Sequence, residues 1–223
     1  MQTTHLISTL LVAHVAVLGY WLGSELVINS TFRYVCWRGD MPFAERSRLM
    51  DHVMNVDQHV RYAMVLQVGL GLALLGLLGY VPGGHVTAIV AAVIAIAWLA
   101  LVEVTHRMRK APAGAKIARV DRTLRWFAIA VLVAVAAAVA GGMLALPGWL
   151  AWKLLAFAGV IGCGLGIRFA LIEFFGLWRE LAEHGSTDAR EQRVRTLYVR
   201  ATSVLGVLWL LILVITLLSI FRP

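Results

Sequence analysis

Charge is scarce in this sequence: 14% of its 223 residues are Asp, Glu, Lys or Arg, while 61% are hydrophobic. A water-soluble domain of that length cannot bury so much apolar side chain, which leaves the lipid bilayer as the solvent. A mean hydropathy of +0.82 points the same way. Cysteine is almost missing. Cys36 near one membrane face and Cys163 inside an apolar run differ too much in depth to pair, so no disulfide framework is expected. The first residues, MQTTH, lack the basic start of a secretory signal, and no small-residue cleavage site follows. The first apolar run is therefore read as a retained helix. A phosphate-binding glycine loop, a serine or cysteine triad and a nucleic-acid module are missing too. The glycines lie in apolar runs and the arginines between them, so the +8 formal charge reflects membrane topology and no nucleic-acid partner.

What is there is a set of long apolar runs. A membrane-crossing helix needs roughly 20 mostly apolar residues, and six stretches qualify, at about 5–29, 59–81, 85–107, 124–146, 148–176 and 198–221. Pro42, Pro82, Pro112, Pro147 and Pro223 all fall between or beyond them, where a missing N–H does no harm. The expected fold is all-α: a polytopic membrane helical bundle of six transmembrane helices, one transmembrane domain over residues 1–223.

The basic residues occupy alternate connections. The first holds Arg33, Arg38, Arg46, Arg48 and Arg61; the third holds Arg107, Arg109, Lys110, Lys116, Arg119, Arg122 and Arg125; the fifth holds Arg179, Arg190, Arg193, Arg195 and Arg200. The second and fourth, around 81–85 and 146–148, hold none. The excess of Lys and Arg on cytoplasmic connections predicts that the first, third and fifth are inside and both termini outside, with Arg222 alone opposing. The expected location is the inner (cytoplasmic) membrane of a bacterium, with the lipid bilayer as partner.

Connections two and four are short enough to force tight antiparallel hairpins. Within connection one, Asp40 to Pro42 reads as a helix start, and Met50, Val53, Met54 and Val60 recur at helical spacing. An amphipathic cytoplasmic helix running into the second span is expected there, and a plain connector at Pro112 and Gly114. Small residues crowd the second, fourth and fifth spans, where they let helices approach closely or make room for a flat cofactor.

Ionisable groups at membrane depth are candidates for function because hydrocarbon makes them costly. They are His14, Glu25, His59, Glu103, His106, Lys153, Arg168 and Glu173. His59 lies 24 residues before Gly83 and His106 lies 23 after it, so a hairpin brings both to one level near the cytoplasmic surface. Glu103 is one turn from His106. Glu25 and Glu173 reach a similar level, with Arg168 slightly deeper as a charge partner. These groups outline an inner polar site; the alternative reading of each imidazole or carboxylate at that level is an interfacial group that meets water or headgroups. Two imidazoles on adjacent helices suit axial ligation of haem iron. A carboxylate-bridged metal pair usually takes two Glu-x-x-His motifs, and only Glu103–His106 supplies one. His14 sits deeper, on a face continued by Leu18, Trp21 and Glu25, where a serine or carbonyl could also satisfy it. Lys153, in the outer half of the fifth span, could snorkel to the interface.

Two segments carry a resemblance. HVAVLGYWLG at 14–23 and GWLAWKLL at 148–155 resemble the HemJ-type protoporphyrinogen oxidases and the related CopD-like membrane proteins. The first resembles that family's histidine followed by tryptophan and glycine, the second its Gly-Trp-Leu-x-x-Lys segment. The resemblance implies that His14 and Lys153 form a functional pair associated with haem b.

The leading expectation is a haem-binding membrane oxidoreductase. It would pass electrons between a small or porphyrin-like substrate and a membrane acceptor such as quinone or a redox partner. Glu25, Glu103, Arg168 and Glu173 would act in catalysis, with His14, Lys153, His59, His106 and Trp21 around the cofactor and His14, His59 and His106 as metal ligands. The alternatives are transport of a metal ion such as copper or of a small solute, and a non-haem iron or other metal-dependent membrane enzyme. No methionine-rich or Cys-x-x-Cys ligand set favours Cu(I). The substrate and the oligomeric state are not legible.

Overall fold

The computed structural model describes residues 2–108, 111–112 and 114–221. Arg109, Lys110, Arg222 and Pro223, used above for topology and boundaries, lie outside them. The described chain is all-α, with the order α1 (Gln2–Trp37), α2 (Phe43–Leu77), α3 (His85–Arg107), α4 (Gly114–Ala140), α5 (Gly148–His184) and α6 (Asp188–Phe221). All six helices are long and apolar enough to cross a membrane, so the protein is an integral membrane protein by length and composition.

Five helices are longer than the apolar runs predict. α1 continues to Trp37, α2 begins at Phe43, α4 begins at Gly114 in place of the expected plain connector, α5 continues to His184 and α6 begins at Asp188. The charged connections are therefore mostly helix. Arg and Glu are strong helix formers, and nothing breaks the chain until Gly39 and Pro42 in one place and Gly185 in the other. The 36 residues of α1 extend about 54 Å at 1.5 Å per residue, against about 30 Å of hydrocarbon. The surplus carries the charges. The separate amphipathic helix expected in connection one is the first part of α2, and it starts directly after Pro42.

Two helices stop earlier than predicted, and glycine is the reason. α2 ends at Leu77, not near 81: Gly79 takes φ +79°, the Tyr80 N–H reaches the Leu75 carbonyl at 3.0 Å and the Gly79 N–H reaches Gly76 at 3.0 Å. α4 ends at Ala140, not near 146, with Gly142 at φ +71° and the same paired bonds, Met143 to Ala138 at 2.9 Å and Gly142 to Val139 at 3.1 Å. A left-handed residue after the last turn satisfies carbonyls that would otherwise be orphaned. α6 opens on Thr187, whose hydroxyl accepts the Arg190 N–H at 3.3 Å as an N-cap.

The chain divides into two compact units: Met1–Phe32 with Ser47–Asp121, and Arg33–Arg46 with Arg122–Pro223. In the first, the α2–α3 hairpin is close-packed. A Cβ at Gly69 would stand 2.6 Å from the Ala95 Cβ, and one at Gly76 would stand 2.8 Å from the Thr87 Cβ and 2.9 Å from the Gly84 carbonyl. Gln58 donates to the Val102 carbonyl at 3.3 Å. In the second, α5 packs along α6, with Gly159 against Leu211. Ala136, Val139 and Ala151 form the contact of the α4–α5 hairpin. Between α1 and α2, the Arg38 guanidinium grips the Asp40 carboxylate at 3.0 Å, and this hydrogen bonding holds that carboxyl below the usual range.

Candidate functional site

In the first unit, His59 lies on an exposed edge of α2, and its Nδ1 shares a hydrogen bond with the Tyr20 hydroxyl of α1. The rings meet edge-on, 5.8 Å between centroids. Which partner holds the proton depends on the imidazole tautomer. Tyr62 follows one turn later on the same face of α2, its ring 6.3 Å from His59 and at right angles to it. Its hydroxyl donates to Glu103 of α3, which also accepts from Arg107 one turn on. His106 stands within electrostatic reach of Glu103. His59, expected at one level with His106, thus neighbours Tyr62, and Glu103 lies between Tyr62 and the electrostatic reach of His106.

Beside this chain is an open cleft of about 470 Å³ lined by Tyr20, Tyr62, Leu66, Leu99, Ala100 and Glu103. Its geometry follows from helix periodicity. Tyr62 and Leu66 are four apart on α2, Leu99 and Glu103 four apart on α3, so each pair stacks on one face. The carboxylate and hydroxyls lie toward the arginine-bearing helix ends, and the leucines lie deeper. No model of a known protein family matches the chain, and neither does any curated protein or solved structure.

A second polar group occupies another side of the same helices. Trp21 and Glu25 are both buried, at 3% and 6% exposure, and the indole N–H donates to the Glu25 carboxylate at 3.3 Å. Asp57 is an electrostatic neighbour of Glu25 and accepts from the Arg61 Nε at 2.9 Å. Arg61 in turn interacts with Asp121, which is 1% exposed. Glu25, Asp57, Arg61 and Asp121 are thus linked electrostatically.

The remaining expected residues are placed apart from these. His14 is half-buried on α1; its carbonyl accepts from Gln67 at 2.8 Å, and its Cε1 faces Gly71 of α2, where a Cβ would stand 3.7 Å away. Lys153 and Arg168 are half-buried on α5 in the second unit. Glu173, also on α5, is exposed and accepts from Arg200 of α6 at 3.1 Å. Among the described residues, no three His, Cys, Asp or Glu side chains are grouped so as to hold a metal ion. The copper and non-haem centres therefore have no described ligand set.

Sequence reasoning missed Tyr20, Tyr62, Asp57, Arg61 and Asp121. Signals existed: Tyr62 is three residues from His59 and Asp57 four from Arg61, both spacings that share a helix face. Tyrosine, however, is common at membrane interfaces, and nothing in the sequence separates an interfacial anchor from a tyrosine bonded to a neighbouring helix.

Proposed function

We propose that the protein is an integral membrane oxidoreductase that passes electrons from a small or porphyrin-like substrate, which is oxidised, to a lipid-soluble acceptor of the quinone class, which is reduced and takes up protons at the Tyr20–Tyr62–Glu103 cleft. The observation that carries this reading is the hydrogen-bonded sequence around the cleft, Tyr20 with His59 and Tyr62 with Glu103 and Arg107. Reduction of a quinone takes up protons as well as electrons. Groups that hold and release protons must then line the place where it binds, with apolar walls for its ring and chain. Glu103 would take up a proton on its carboxylate only transiently, as it passes between ligand and water, and His59 would do so on Nε2, the nitrogen left over by Tyr20.

The resemblance assigns haem b to His14 and Lys153, and the donor chemistry at His14 fits it. One imidazole on a half-buried helix suffices as an axial ligand, and Gly71 leaves no side chain on α2 against the ring. Bound there, haem would supply one-electron transfer. The chain's own part is to fix His14 through Gln67, to exclude water with the apolar faces of α1 and α2, and to move protons at His59 and Glu103.

Iron and porphyrin content of the detergent-purified protein tests the proposal. Stoichiometric haem is expected in the wild type and its loss in His14→Ala, while His59→Ala with His106→Ala retains it. Iron-free, colourless wild type would overturn the reading.

A further inference from the structure

The polar wall of the cleft also specifies which ligand head it takes. Tyr62 commits its single hydroxyl hydrogen to Glu103 and its oxygen also accepts from the Gln58 side chain, so it offers the cleft no donor and at most a remaining oxygen lone pair. Glu103 uses one oxygen for Tyr62 and the other for Arg107; a carboxylate has about four lone-pair sites, leaving two for a ligand. The Tyr20 hydroxyl is tied to His59. That end of the cleft is thus rich in acceptors. Its formal charge is balanced, because Arg107 offsets Glu103 from outside, with its side chain 77% exposed. A carboxylate or phosphate head would bring acceptors to acceptors and a second negative charge to Glu103. A quinone carbonyl would find no donor at Tyr62. A neutral hydroxyl satisfies the wall by donating to it.

From this acceptor-rich wall we infer that the cleft is a binding site for a lipid-soluble dihydroxyarene, a hydroquinol, whose ring hydroxyl donates to Glu103 or Tyr62 while its chain runs past Leu66, Leu99 and Ala100. A volume of about 470 Å³ sits at the lower end of ordinary ligand pockets, roughly 300–1,000 Å³. It accommodates a substituted ring and the first part of a chain, and the open side lets the rest lie in lipid. The inference rests on the cleft named above but not on the haem. Tighter binding of the reduced form would pull a bound quinone toward reduction, since a ligand shifts an equilibrium by its differential affinity.

The test is equilibrium binding to the full-length protein in nanodiscs of zwitterionic lipid, read by tryptophan and tyrosine fluorescence and independent of any cofactor. The probes are a prenylated benzohydroquinol, its dimethyl ether, the corresponding quinone and oleate. The hydroquinol is expected to bind at least tenfold more tightly than the other three. Glu103→Gln should weaken it about tenfold, and Ala100→Trp, which fills the cleft from an exposed position, should abolish it. Equal binding of the dimethyl ether, equal or tighter binding of oleate, or no binding of the hydroquinol to wild type would each overturn the inference. The wild-type panel decides this without any variant. Loss of haem with hydroquinol binding intact would sink the oxidoreductase reading alone.

Discussion

Arg46 and Glu191, 145 residues apart in sequence, meet as a two-pronged ion pair, Nη1 to Oε1 at 2.7 Å and Nη2 to Oε2 at 2.9 Å. Arg46 also donates to the Val35 carbonyl at 3.2 Å and lies over the Trp178 ring at 5.1 Å. Ser186 donates to the same carboxylate at 2.7 Å. The pair locks the turn between α1 and α2 onto the α5–α6 hairpin inside the second unit. With side chains only 2% and 10% exposed, neither charge can be rehydrated if its partner is removed. Glu191→Ala should therefore destabilise the protein by about 3–5 kcal/mol, seen as a lower midpoint of thermal unfolding in detergent. Combining it with Arg46→Met should recover much of the loss.

Glycine in the apolar helices serves two different ends, and substitution separates them. Gly76 is pressed against Thr87 and the Gly84 backbone, so Gly76→Ala must push the α2–α3 hairpin apart and should cost about 1–3 kcal/mol. Gly164 on α5 has nothing within 4 Å of a built Cβ. Gly164→Ala should be neutral or slightly stabilising, because alanine favours helix by up to about 1 kcal/mol. Thermal midpoints of the two variants check the contrast.

The alternation of arginine-rich and arginine-free connections predicts opposite labelling of two exposed positions. In a background with Cys36→Ala and Cys163→Ala, His85→Cys should react with a membrane-impermeant maleimide on intact cells. Glu183→Cys should react only after permeabilisation. The reverse pattern would invert the topology.

The proposed proton exchange at the cleft has a kinetic consequence. Tyr62→Phe removes the hydroxyl that joins His59's face of α2 to Glu103, and should slow quinone reduction about 10²-fold or more. Arg107→Ala removes an exposed, solvent-screened partner and should change the rate far less. Steady-state quinone reduction across both variants, at matched protein content, measures the difference.

The spans were legible in the sequence because hydrocarbon demands one thing of a helix, an apolar run of sufficient length, and α3 was read to both its ends. Helix ends elsewhere were not, since hydropathy reports where lipid stops and says nothing of where helix stops. Arg33, Arg179 and Arg193 continue helices beyond the lipid, while Gly79 and Gly142 end them short. The level shared by His59, Glu103 and His106 followed from counting residues about Gly83. That Tyr20 and Tyr62 complete the chain did not, because cross-helix rotation is set by packing such as Gly69 on Ala95, which spacing alone does not encode.

Anaerobic mixing of the chemically reduced, purified protein with a lipid-soluble benzoquinone tests the central claim most directly, followed by absorbance through the Soret region. The account predicts reduced-haem bands in wild type that decay on mixing, decay more slowly in Glu103→Gln and are missing from His14→Ala. A wild-type preparation with no Soret band, or with bands that quinone leaves unchanged, would contradict it.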